Sequence, residues 1–183
     1  GAELRGRSAE LRAAARAGLA DTVLNLDGVV RAQGLGLQDG QVVIGQPGLP
    51  QILVDGGASG VTRVGGTLDA SATAGGGIGG AITVLGQRVW LDAGARVDAR
   101  GDAGGGHILV GGNWQGQGDE RRAQMAWVST GALLDASALR LGDGGRVVVW
   151  ADDRTVFDGA IRARGGALGG HGGEVETSGL GGL

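Results

Sequence analysis

Cysteine, lysine and tyrosine are absent from these 183 residues, and methionine and phenylalanine occur once each. Without cysteine there are no disulfides and no thiolate metal ligands. Without lysine there is no phosphate-loop lysine, no Schiff base and no lysine-dependent lyase chemistry, since all 16 basic residues are arginine. No apolar run approaches the roughly 18 residues of a membrane-spanning helix, so no membrane insertion is expected. The start, GAELRGRSAELR, lacks the apolar centre of a signal peptide. An exported protein would therefore be expected to carry this chain as an internal piece. The net charge of -3 is spread without a basic stripe, which argues against a nucleic-acid partner.

What the chain has in excess is glycine, 43 residues, set against a substantial apolar fraction of 42%. That apolar content can build a core. The glycines follow no strict three-residue period, which excludes collagen, and they alternate with β-branched runs, which excludes a flexible linker. They punctuate a repeat. Its phrase is an apolar-Asp-Ala step, a loop, a glycine cluster and an alternating apolar strand. Three copies are plain: Leu68-Asp69-Ala70 leading to Gly79-Gly80-Ala81-Ile82-Thr83-Val84, Val97-Asp98-Ala99 leading to Gly105-Gly106-His107-Ile108-Leu109-Val110, and Leu134-Asp135-Ala136 leading to Gly144-Gly145-Arg146-Val147-Val148-Val149. Weaker copies run from Val30-Arg31-Ala32 to Gln41-Val42-Val43-Ile44 and from Ile161-Arg162-Ala163 to Gly173-Glu174-Val175.

The anchors Leu68, Val97, Leu134 and Ile161 are 29, 37 and 27 residues apart, a solenoid period with one insertion, at 113–127. Each repeat holds about three short strands that cannot stand alone but pair when coils stack. The expected fold is all-β: a right-handed, single-stranded parallel β-helix over 23–183, its hand set by the crossover rule. Ile82 and Val84 should face one side and Ala81 and Thr83 the other. Glycines before each strand are expected to turn corners that need positive φ. Residues 1–22 read differently. SAELRAAARAGLA has high helix propensity, so a short helix over 8–20 is expected, a candidate cap for the first coil.

The wording AAARAGLADTVLNLDGVVRAQ, GAITVLGQRVWLDAGARVDARGDAGGGHILVGGNWQG and GDGGRVVVWADDRTVFDGAIRARGGALGGHGGEVETSG resembles the filamentous-haemagglutinin-like exoproteins of bacterial two-partner secretion, over about Leu11 to Gly179. The resemblance implies a right-handed β-helix, an outer-membrane transporter of the Omp85 type as partner, and a secreted or cell-surface location. It implies a role among adhesins that meet a host surface protein or glycan, haem or haemopexin binders, toxin-delivery stalks and cytolysins. The Asn-Pro motifs of the family's amino-terminal secretion domain are not seen here, nor is a carboxy-terminal toxin module.

The insertion, Asn113 to Trp127, is the candidate ligand or partner loop, because Trp and Arg together are the usual composition of an interaction hot spot. Its candidates are Trp114, Arg121, Arg122 and Trp127. The competing reading is that the two tryptophans pin the loop to the coil. Asp69, Asp98 and Asp135 share one repeat position and could form a calcium ladder, but no tandem G-G-x-G-x-D run supports it, and turn capping is the expected role. Asp152, Asp153 and Arg154 could be read as an acid-base set of a carbohydrate-active enzyme. Neighbouring residues of a strand or turn point apart, however, and no second long insertion builds a cleft, so no enzyme is expected. His107 and His171 have no partner at ligand spacing, so no metal or other cofactor is expected.

Overall fold

A computed structural model describes residues 3–6, 8–12, 22–32, 35–38, 41–44, 50–58 and 60–181. Among the described residues the regular elements are strands, joined by loops, with one turn of 3₁₀-helix and no α-helix. They build three parallel sheets. Sheet A stacks β1 (Glu3–Gly6), β4 (Val29–Ala32), β9 (Thr67–Asp69), β12 (Arg96–Asp98), β15 (Leu133–Asp135) and β18 (Ala160–Arg162). Sheet B stacks β2 (Ser8–Arg12), β7 (Gln51–Asp55), β10 (Ala81–Leu85), β13 (His107–Val110), β16 (Arg146–Ala151) and β19 (Glu174–Gly179). Sheet C stacks β3 (Thr22–Leu26), β8 (Val61–Val64), β11 (Arg88–Leu91), β14 (Met125–Val128) and β17 (Arg154–Phe157). The chain visits the sheets in the order A, B, C in every coil, which makes the molecule a parallel β-helix.

The register matches the sequence period. Leu4, Val30, Leu68, Val97, Leu134 and Ile161 lie opposite one another up sheet A. In sheet B, Ala9, Ile52, Ile82, Ile108 and Val147 form one inward column, and Leu11, Val54, Val84, Val110 and Val149 form the next. Ile82 and Val84 are fully buried, which settles which of the two alternating sets faces in. Ala32, Ala70, Ala99 and Ala136, each with no exposed surface, fill the corner after sheet A, where three sheets converge and nothing larger fits. The buried hydroxyls are satisfied: Thr62 Oγ1 donates to Leu85 O at 2.8 Å and Thr155 Oγ1 to Ser178 O at 2.7 Å.

Three expectations are corrected. Ser8–Arg12 is a strand and not the start of a helix, and Glu3–Gly6 is another. Ser-Ala-Glu-Leu-Arg also alternates with a period of two, and pairing Ala9 with Ile52 and Leu11 with Val54 buries its apolar side, which outweighs helix propensity. The remainder of the expected helix, 13–20, lies outside the described residues. Second, Gln41–Ile44 does not continue the coil after Val30-Arg31-Ala32. It forms β6, which pairs antiparallel with β5 (Leu35–Gln38), and the sheet B rung of that coil is Gln51–Asp55. Among the described residues the coil is interrupted by this hairpin as well as by the insertion after β13.

The third correction concerns glycine. Gly79, Gly80, Gly105, Gly106, Gly144 and Gly145 are not among the residues with positive φ. Space is what selects them. A Cβ on Gly105 would sit 1.8 Å from Ala136 O, and one on Gly145 would sit 1.8 Å from Gly106 O, so each glycine lets one coil's backbone lie directly on the next. The same pairs close their own loops: Gly80 N donates to Ala70 O at 2.8 Å, Gly106 N to Ala99 O at 2.8 Å and Gly145 N to Ala136 O at 2.7 Å.

The corner loops carry a buried acid. Asp102 accepts from Gly76 N at 2.7 Å and meets Arg140 Nη2 at 3.2 Å, tying three coils together. The Arg140 side chain first, and the Gly76 N–H second, hold the Asp102 carboxyl below its ordinary pKa. A lowered carboxylate pKa contributes stability above the unfolded value of about 3.9, and that contribution is lost as pH falls through the folded value.

Two predictions follow from these contacts. Gly105→Ala should destabilise by about 3 kcal/mol or prevent folding, whereas Gly104→Ala, whose nearest neighbour would be Ile78 Cγ2 at 3.6 Å, should stay within about 0.5 kcal/mol of the parent in denaturant unfolding. Asp102→Asn should lower the unfolding temperature at pH 6, with the gap to the parent closing as pH falls below about 4; a gap independent of pH would show that charge is not what matters at this corner.

Candidate functional site

The excursion after β13 folds back on the rod. Gly111 N donates to Val84 O at 2.8 Å, and Ala123 N donates to Gly111 O at 2.6 Å, closing the loop at its base. Asn113 caps the 3₁₀ turn Trp114–Gly116: its side chain accepts from Trp114 N at 2.7 Å and donates to Glu120 Oε2 at 2.9 Å. Gln115 N donates to Glu176 Oε2 of β19 at 2.8 Å. Gly116, at φ +66°, lies on the Trp150 indole, where a Cβ would come within 2.6 Å of Cζ2. The strap thus covers the outer face of sheet B, which is why the outward-facing Val148 and Trp150 are buried.

The four candidate residues divide between two faces. Trp114 lies in the strap with the Arg146 guanidinium 5.3 Å over its ring, a cation–π contact. Arg121 reaches Asp55 at 3.7 Å, and Arg122 reaches Asp152 at 3.4 Å and Gly116 O at 3.3 Å. These three side chains hold the strap to neighbouring coils. Trp127 is not in the strap. It belongs to β14, points outward from sheet C and is 42% exposed.

Around Trp127 the sheet builds a groove of about 330 Å³ lined by Arg63, Trp90, Asp92, Trp127 and Ser129. Register creates it, because Arg63, Trp90 and Trp127 are successive members of one outward column, one strand spacing apart. Arg63 Nε meets Asp92 Oδ2 at 2.6 Å, and this pairing raises the Arg63 pKa further. Trp90 Nε1 is buried without a hydrogen-bond partner among the described residues. Trp90 was not among the residues singled out from the sequence. The signal was present, since Trp90 and Trp127 are 37 residues apart, the same interval as Val97 and Leu134.

The aspartates of the repeat form a third cluster. Arg31, Asp69, Asp98, Asp135 and Arg162 occupy successive rungs of sheet A, beside a surface recess of about 380 Å³. Each aspartate caps its own turn at 3.0 Å, Asp69 through Ser71 N, Asp98 through Arg100 N and Asp135 through Ser137 N. Arg31 and Arg100 neutralise the ladder at 3.1 and 2.6 Å from Asp69 and Asp98 respectively. The carboxylates thus act as turn caps in ion pairs, and no group of three His, Cys, Asp or Glu residues among the described residues could hold a metal ion. His107 stands on β13 between Ala81 and Arg146, and His171 caps Asp143 through its backbone N–H at 2.7 Å. Asp152 accepts from Trp150 Nε1 at 3.3 Å, and Arg154 begins β17.

Trp150→Ala removes the floor of the strap and a nearly buried indole. It should cost about 3–5 kcal/mol and make the bond after Arg121 or Arg122 markedly more sensitive to trypsin; unchanged cleavage would mean that the strap does not depend on Trp150.

No protein-family model matches the chain, and no curated protein matches it. Among solved structures, the chain is similar to the crystal structure of the HMW1 secretion domain from Haemophilus influenzae, with a TM-score of 0.62 and 25% identity. The alignment covers 97% of this chain and 40% of that one, so the chain spans about two fifths of the length of its structural neighbour. The likeness falls on a secretion domain, although the Asn-Pro motifs expected of such a domain are not seen in this sequence.

Proposed function

We propose that this chain is a β-helical segment of a secreted exoprotein of the two-partner, filamentous-haemagglutinin-like kind, working as a rigid stalk that presents a binding surface to host cells or other ligands. The observation that carries this reading is the structural likeness over 97% of the chain to the HMW1 secretion domain. It agrees with the resemblance in wording. The partner is then an outer-membrane transporter of the Omp85 type, and the destination is the medium or the cell surface.

Physical features fit such a route. The chain has no cysteine to be oxidised outside the cell. Each coil pairs with the one before it, so the rod can grow one rung at a time as the chain emerges. The role is non-catalytic in this proposal: Asp152 is occupied by Trp150 and Arg122, and the aspartate ladder is spent on turn caps and ion pairs.

The test is export. Expressed in full length in a Gram-negative host, the protein should reach the medium or a protease-accessible surface only when its Omp85-type transporter is co-expressed. Equal export without the transporter, or retention in the cytoplasm with it, would overturn the proposal. Incubation with polysaccharides should release no new reducing ends, and any such release would replace the stalk with an enzyme.

A further inference from the structure

Trp127 stands out among the exposed apolar side chains of the described residues because it shares an outward column with a second indole: Trp90 and Val156 lie opposite it on the adjoining rungs. The other large exposed hydrophobics are Leu4, Ile78, Leu139, Leu141, Leu168, Val175 and Leu180, none of which lies on sheet C. Beside Trp127 on the same outward face stand Met125 and Ser129, with Arg154 and Trp90 on the adjoining rungs. A protein partner needs about 800 Å² of complementary surface on each side. One exposed indole above a second, ringed by hydrogen-bonding groups, suits something smaller with one apolar face and a polar edge.

We propose that this groove is a saccharide-stacking site, in which Trp127 and Trp90 receive the C–H face of a neutral pyranose while Arg63, Asp92 and Ser129 hydrogen-bond its hydroxyls. The chemistry is specific to that class. Arg63 and Asp92 hold each other at 2.6 Å, so together they offer N–H donors and carboxylate acceptors at little net charge, the match for vicinal hydroxyls. A sulfate or carboxylate would have to compete with Asp92 for Arg63, and the net charge of -3 offers no general attraction for a polyanion. The groove's volume of about 330 Å³ lies at the lower end of the range for small-molecule sites.

This inference deepens the reading of the rod as a binding stalk and rests on it, but its readout is independent of export. Purified protein is titrated with neutral oligosaccharides of glucose, galactose and N-acetylglucosamine, following tryptophan fluorescence and calorimetry. At least one series should saturate with a Kd at or below about 1 mM. Trp127→Ala and Arg63→Met should each weaken that binding tenfold or more, Trp127→Phe should stay within about threefold, and Trp114→Ala should leave it unchanged, since Trp114 lies in the strap over sheet B. Because Trp127 points outward, Trp127→Ala should keep the parent's unfolding temperature, which separates loss of the site from loss of the fold. The proposal is overturned if no sugar saturates, if Trp127→Ala binds like the parent, if only sulfated or acidic glycans bind, or if the substitution abolishes self-association instead of sugar binding. Failure of sugar binding with intact export would leave the stalk standing and remove only the site.

Discussion

The structure depends on how closely one coil can lie on the next. Parallel strands pair at a spacing of about 4.8 Å, and every rung must keep it at the strands and at the corners between them. At the strands, backbone pairing and inward Ile, Val and Leu suffice. Where sheet A passes into sheet B the carbonyl of one coil points at the backbone of the next, and only a residue without Cβ fits between them. Gly79, Gly105 and Gly144 meet Ala99 O, Ala136 O and Ala163 O in this way. The alanine column beneath them is the same constraint seen from inside: Ala99 and Ala136 supply two of those carbonyls and, with Ala70, fill the buried corner with the smallest apolar side chain.

With the interior committed, function is left to the outer faces, and the three sheets use theirs differently. Sheet A carries charge, arranged so that like-charged aspartates on adjacent rungs are met by arginines and by their own turn amides. Surface ion pairs of this sort contribute little stability singly, but they hold the register of a flat, repetitive sheet against slippage. Sheet B is roofed by the strap, which spends Trp114, Arg121, Arg122 and Asn113 on contacts within the chain. Sheet C is left open, and its two tryptophans are the apolar surface that no segment among the described residues covers. The hot-spot composition of the insertion was a true reading of the residues but an incomplete guide to their place, since tryptophan and arginine serve equally to anchor a loop and to bind a partner.

The coil, its anchors and its inward faces were legible because they are periodic: Leu68, Val97, Leu134 and Ile161 repeat in the sequence and stack in space. Turn capping by Asp69, Asp98 and Asp135 was legible for the same reason, each acid standing two residues before the amide it accepts from. The helix expected over 8–20 does not begin at Ser8, because Ser8–Arg12 satisfies both periods and local propensity cannot weigh the edge of β7 that awaits a partner. The hairpin of β5 and β6 was hidden because Gln41–Ile44 has the composition of a sheet B strand, and only competition with Gln51–Asp55 for the same rung excludes it.

By itself the sequence determined the parallel β-helix, the repeat register and which residues form its core, since these follow from period, size and alternation along the chain. Tertiary structure alone decided why the glycines are needed, where the insertion lies and which tryptophans meet. Those are contacts between coils some 30 residues apart, and a close approach of backbones or a shared column of side chains exists only after the coils have stacked.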